Sequence, residues 1–458
     1  MMPLLAAALM LQQPVDSAAG RPCRVAVDSM GHFAQRTTGS GDTTSHGGGG
    51  VLAHCAGTAT TIAADSFAHY SAAGRLDLLG NVRIRDVGMS LDARFVQYFL
   101  RDERLDAHNN VVAVNPRNGS VLRGPNLRYW RAAPGIRDTV EMYATSRPTV
   151  EYRGAGDSAN AEPYIIVADR MRFKGEDRMW GGGRVTVDRS DFASRSDSLL
   201  LDQTQGIGVL TGARQRPTVE GRGARADDAA AKSYTLTGTR IELGFEDREV
   251  RLVKALGDGK ATGADWTLTA DTIHLLVEQR QLQQTFAWGD SSRPHAISTL
   301  YTIQSDSMAI DSPGEVLTES RAFGDAFSTA RRDSLTTAAE MDWIAGDTLT
   351  ARFAQETDSA GAERSRLRQI VSRGGARALT HHPDARDSTI APAINYSRGN
   401  RISVTLTSDR IERVVVAGRA DGVHLEAPPP VRADTTAAPA APAPPPAPPP
   451  SPRPRARP

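Results

Sequence analysis

Aromatic residues make up only 5% of this 458-residue chain, too few for one large globular core and compatible with a thin, layered one. Cysteine is nearly absent: Cys23 and Cys55 alone cannot build a tetrahedral zinc site. They are either two separate thiols or, in an exported chain, one disulfide between neighbouring strands. Net charge is missing too. Lys and Arg number 54 against 53 Asp and Glu, and the arginines Arg83, Arg85, Arg94, Arg101 and Arg104 all have acidic neighbours. No basic patch interleaved with aromatics results, which excludes nucleic acid as a partner. No apolar run reaches the roughly 18 residues of a membrane-spanning helix. The longest such text, residues 3–11, reads as a short signal peptide ending near Gly20, so that residues 1–20 are removed and the mature chain is at most peripheral to membranes. There is no HExxH, no GxSxG and no glycine loop followed by Lys-Ser/Thr. Among the ten histidines the only tight cluster is His381-His382 with Asp384, in text that reads as a loop. His69, His108 and His274 fall inside repeats and read as partly exposed strand residues. Neither catalysis nor a metal or other cofactor is expected.

What is present is repetition. Ala64–Val114 says one sentence twice. An Asp opens an alternating run, Asp65 to Tyr70. Then comes Gly74-Arg75-Leu76-Asp77-Leu78-Leu79-Gly80-Asn81-Val82-Arg83-Ile84, in which apolar and charged residues alternate as in a strand with one wet face. The second copy runs from Leu91 to Phe99 and from Glu103 to Val114, so that Asn109-Asn110-Val111 answers Gly80-Asn81-Val82. The Gly-Asn pair breaks the alternation at mid-strand and is either a tight turn or a bulge, since both residues tolerate positive φ. A thin sheet with one apolar face is unstable alone but buries that face when stacked on its own copies.

The sentence recurs with drift to about Glu426. An atypical first unit occupies residues 21–63, with a strand at Arg24–Val27, a loop at Gly39–Gly50 and a returning strand at Val51–Cys55. We divide the chain into residues 21–155, a polar boundary, and a divergent region at residues 164–425. Ala326–Ile344 has ambiguous helical text, and residues 354–366 and 381–392 read as loops. Residues 427–458, almost all Ala, Pro, Arg and Thr, form a disordered or polyproline tail. The recurring Asp65, Asp169, Asp271, Asp306 and Asp347 each precede an alternating run and read as turn formers that accept backbone N–H bonds. The apolar side of the units supplies the candidate lining: Leu76, Leu78, Val82, Ile84, Leu91, Val96, Tyr98, Val111, Leu122, Leu127, Tyr129, Val167, Met171, Phe173, Val185 and Val187.

The run from Asp65 to Tyr70, GRLDLLGNVRIR, LDARFVQYFLRDERLDAHNNVVAV and GSVLRGPNLRYW resembles the organic-solvent-tolerance family of periplasmic lipopolysaccharide-transport domains. The match is best over Ala64–Tyr152, fair over Val167–Gly212 and faint beyond. The resemblance implies an all-β, elongated jellyroll of stacked antiparallel V-shaped strands in the periplasm, associated with the outer membrane. It also implies an apolar groove for the acyl chains of lipopolysaccharide or a similar glycolipid, and partnership with envelope transport proteins, or with further copies, by edge-strand pairing. It supplies no catalytic residue. The chain is longer than a minimal bridge protein, and no outer-membrane barrel text follows. Two readings compete: a lipid carrier with an open groove, and an interaction scaffold whose interior is filled.

Overall fold

The computed structural model describes residues 23–132, 135, 137–154, 162–222, 232–246, 249–263, 266–298, 301–330, 341–357, 363–382, 392–407 and 410–426. The proposed signal segment, the Pro-rich tail and Asp384 lie outside them. Thirty strands cover most of these residues, all paired antiparallel with their neighbours. The first eight are β1 (Val25–Ser29), β2 (His32–Thr37), β3 (Thr43–Cys55), β4 (Thr61–Tyr70), β5 (Arg75–Arg85), β6 (Ser90–Phe99), β7 (Arg104–Val114) and β8 (Val121–Trp130).

Most long strands bend at one point, and the mid-strand glycine motif is the bend. Along β5, Leu79 pairs with Phe95 of β6, but the next partner of Ala93 is Val82, so β5 carries one extra residue at Gly80-Asn81. Both residues have positive φ, 71° and 45°. That conformation re-aims the strand as a bulge does. The same jump recurs at Gly49-Gly50, Asn109-Asn110, Gly183-Arg184, Gly257-Asp258, Gly324-Asp325 and Gly374-Gly375. Each bent strand therefore belongs to two sheets, one on each side of the corner. Their inner faces close on each other around a single core cluster that runs from Cys23 to Leu406.

The recurring Asp stands at the corner: Asp169 and Asp306 directly precede a strand as expected, whereas Asp65, Asp271 and Asp347 lie inside theirs. Asp65 lies opposite Gly80-Asn81 and accepts a hydrogen bond from Asn81 Nδ2 at 2.9 Å. A side chain at Gly80 would overlap Asp65, so backbone conformation and space both demand glycine there. Where the corner opens into a loop, the Asp caps it. Asp271 accepts backbone N–H bonds from Ser291 and Ser292, which hold its carboxyl below the usual range.

Several loops expected from the sequence are strand. Within the presumed loop Gly39–Gly50, residues 43–50 belong to β3, because Gly47 leaves room for the Phe67 ring and Gly48 for His32. Residues 354–357 and 363–366 extend two long paired strands, and His381 and His382 end one of them. Ala326–Ala330 and Trp343–Ile344 are strand, leaving the ambiguous helical text at residues 331–340, outside the described residues. The odd alternation of Ala93–Leu100 has the same cause as the rest: Arg94 is the single residue facing the Gly80-Asn81 bulge.

The inner face mixes large and small residues throughout: Ile62, Phe67, Leu76 and Leu78 with Ala53 and Ala64 among the first strands, and Ile344, Leu349, Leu367 and Ile402 with Ala322, Ala376 and Ser372 among the later ones, all buried. At one end the free edges are β1 and β2; at the other they are Arg410–Ala417 and Asp421–Leu425.

An apolar cleft at the start of the stack

Between the two sheets at the β1/β2 end lies a cleft of about 420 Å³. One wall comes from Val25, Val27, Val51, Ala53 and Ile62 on one side of the corner. The other comes from Phe33, Phe67, His69, Leu76, Leu78 and Leu100. Phe67 reaches the cleft because Gly47 has no side chain to block it. Arg24, Ser45 and His69 are the polar residues of the lining, and the rest of it is apolar.

Cys23 and Cys55 form a disulfide beside the cleft, their Cα atoms 5.0 Å apart. The bond ties the residue before β1 to the end of β3, so it fixes one wall against its neighbour. Beyond it the space narrows to a slot of about 40 Å³, with Leu78, Ile84, Tyr98 and Tyr129 among its lining. A buried polar network closes this slot. Glu103 accepts hydrogen bonds from the Cys23 N–H at 3.0 Å and the Tyr98 hydroxyl at 2.6 Å. Arg131 donates to Asp86 at 3.0 Å and to Thr60 Oγ1 at 3.2 Å. Carboxylate, guanidinium and hydroxyl groups so placed satisfy one another and position walls; nothing in their arrangement presents a nucleophile.

Burial, and then the Glu103 carboxylate, push the Tyr98 phenol above its ordinary range. Burial pushes Tyr129 up to about 12, with Asp86 adding to it. Raised folded values mean stability that is complete below the unfolded tyrosine pKa and is lost as pH rises through the folded one. We expect the N-terminal strands to lose up to about 3 kcal/mol from Tyr129 between roughly pH 10 and 12. Tyrosine ionisation followed at 295 nm during alkaline titration should be steep and coincide with loss of strand circular dichroism. Ordinary, non-cooperative ionisation near 10 would contradict this.

Farther along, the side of the stack opposite the corners is held shut. Arg189 makes a two-pronged ion pair with Asp191 at 2.5 and 2.7 Å, and its guanidinium lies 4.2 Å over the Tyr164 ring. Arg280, from the other sheet, comes within 3.5 Å of Asp191. Two sheets are thus tied across their open side.

Of the candidate lining residues, the structure places Leu76 and Leu78 on the cleft, and Ile84, Tyr98 and Tyr129 on the slot. Val82, Leu91, Val96, Val111, Leu122, Leu127, Met171, Val185 and Val187 are buried in packed interior, and Val167 and Phe173 are half-buried. The cleft walls Val25, Val27, Phe33, Val51 and Phe67 were not singled out. Their signal was weak, because they sit in the atypical first unit or in a run interrupted by the corner. Of the histidine cluster, whose Asp384 lies outside the described residues, His381 is buried with Nδ1 2.8 Å from Asp342, and His382 Nε2 lies 3.0 Å from Asn395. His69 lies on the cleft, His108 bonds Asn126, and His274 packs edge-on to Trp288.

Among solved structures, the chain has a likeness to the crystal structure of LptH, the LptA homologous periplasmic component of the conserved lipopolysaccharide transport device from Pseudomonas aeruginosa. The likeness covers 34% of this chain and 97% of that one, at 18% identity and a TM-score of 0.23. No family model matches the chain, and no curated protein does.

Proposed function

We propose that the protein is a non-enzymatic carrier or bridge for an acylated envelope glycolipid of the lipopolysaccharide type, acting in the periplasm. The observation that carries this reading is the apolar cleft between the sheets, with a disulfide beside it that suits an oxidising compartment. Walls that are apolar apart from Arg24, Ser45 and His69 suit an acyl chain whose headgroup stays in water. Capacity limits what enters. An engineered cavity of about 150 Å³ takes benzene, so a carbon needs about 25 Å³, and about 420 Å³ holds roughly 17 carbons. That is one long acyl chain, not a bundle of several. The first strands shelter the chain, and the rest of the stack is a spacer whose edge strands meet transport proteins or further copies. The division near residues 155–164 belongs to this proposal.

A second reading, a scaffold without lipid, is favoured by the filled interior and the tied open side around Asp191 and Arg280. One experiment separates them. Photoreactive residues replace Phe33 or His69 on the cleft, with Leu275 in the packed interior and Arg83 outside as controls. Purified lipopolysaccharide and palmitate are the probes. Lipid adducts at Phe33 and His69 alone support the carrier. No adduct at either, with intact fold, favours the scaffold, and adducts at Leu275 as well would overturn confinement to the first strands.

A further inference from the structure

The second half of the stack carries an aromatic row on its outside. Phe327 and Trp343 have ring centroids 5.9 Å apart, and Trp343 and Tyr396 6.2 Å apart. The register continues the row across neighbouring strands, Trp343 opposite Leu379, Leu379 opposite Tyr396, and Tyr396 opposite Val423. These side chains face away from the core. Their sequence neighbours Ala326, Ser328, Ile344 and Ala378 are buried, whereas Phe327 is 40% and Val423 56% exposed. A row of rings with apolar shoulders on a sheet face, exposed at Phe327 and Val423 and half-buried at Trp343, Leu379 and Tyr396, is the kind of surface that takes a polyproline helix.

The occupant is in the same chain. The strand Asp421–Leu425, which ends the row, passes through Glu426 directly into the tail. That tail, from Ala427 to Pro458, holds half of the chain's prolines and no Leu, Ile, Phe, Tyr or Trp. Such text cannot build a core of its own, but a proline-dense sequence has little conformational entropy to lose on docking. Its longest proline-dense run is Ala443–Pro450, APPPAPPP. At about 3.1 Å per residue this run spans about 25 Å. Five adjacent strands at about 4.8 Å spacing make a row of about 19 Å. The stretch between Glu426 and Ala443 is ample to turn the chain back over the sheet. Tethering at the row's own edge raises the effective concentration to the millimolar range, so a weak contact suffices. Arg453, Arg455 and Arg457 follow the run and can lie on ring faces.

We propose that Ala443–Pro450 docks as a polyproline helix on the Phe327–Trp343–Tyr396 row, folding the tail back onto the outer face of its own stack. The test uses the full chain with benzoylphenylalanine in place of Phe327 or, separately, Tyr396, irradiated over a range of protein concentrations. A third protein carries the photoreactive residue at Phe33, at the far end of the stack. The expected result is an intramolecular adduct with the tryptic peptide containing residues 443–450, of equal yield at every dilution and absent from the Phe33 protein. Serine at Pro444–Pro446 and Pro448–Pro450, which leaves the sheet untouched, should lower that yield about tenfold. Adducts mainly with residues 331–340 or 383–391, adducts with a second copy that vanish on dilution, or no tail adduct would each overturn the proposal. So would a yield unchanged by the serine substitutions.

Discussion

Serine at both Cys23 and Cys55 is expected to lower the stability of the first strands by about 4 kcal/mol and to abolish retention in the cleft. The disulfide joins positions with a sequence separation of 32, and constraining such a loop in the unfolded chain contributes about this much. The loss is local. In a stack each strand leans on its neighbours only, so β1 and the second half of β3 open while the distant strands stay folded. β1 is an edge strand with one pairing partner, and it supplies Val25 and Val27 to the cleft wall. Hydrogen exchange followed by mass spectrometry should show protection lost over residues 25–29 and 51–55 and kept over residues 250–290. Uniform loss along the chain would show one cooperative unit and sink this account. Unchanged exchange near β1, with lipid retention intact, would show that pairing alone holds the wall.

The second large effect is at a corner. Valine at Gly80 must adopt a left-handed backbone, which costs about 1–2 kcal/mol, and must displace Asp65, which adds about 1–3 kcal/mol of overpacking. A total of about 4 kcal/mol is expected, read from exchange over residues 61–99. Introducing Asp65→Ala first removes the carboxyl but leaves the Cβ of residue 65 at 2.9 Å, together with the backbone strain. The same Gly80→Val change should then cost about 3 kcal/mol, part of the overpacking having gone. Equal cost in both backgrounds would mean that the Asp65 carboxyl is not what the side chain meets. Asn81, at φ 45° beside Gly80, is the internal comparison: Asn81→Gly should cost only about 1 kcal/mol, the hydrogen bond to Asp65, because the backbone there suits glycine.

These corners show how far the sequence could be read. The alternation of Leu76, Leu78, Val82 and Ile84 with charged residues identified a strand and its inward face, and all four are buried. The Gly-Asn interruption announced a change of direction but not its kind. A turn would have reversed the chain; the bulge bends it and lets one strand serve two sheets. The choice depends on pairing across neighbouring strands, which local text does not contain. The Asp was assigned a backbone-bonding role in a turn. Its position opposite the next strand's glycine, as Asp65 stands opposite Gly80, is a contact between strands and therefore invisible locally. Gly47 and Gly48 were mistaken for loop residues because glycine-rich text usually is one. Here they are small so that Phe67 and His32 can be large.

The cleft was the hardest feature to find in the sequence. Leu76 and Leu122 look alike in an alternating run, yet Leu76 lines open space and Leu122 is packed. What distinguishes them is distance from the end of the stack. By itself, the sequence determined an all-β chain of repeated, one-side-apolar strands, without the residue patterns of familiar enzyme sites, because periodicity of two and recurring Gly-Asn text are local properties. Only the tertiary structure decided where the two sheets part and where they touch. That depends on which side chains face each other across the core: Phe67 and Leu78 line open space beside β1, whereas Leu122, Leu127 and Val185 are packed against their neighbours.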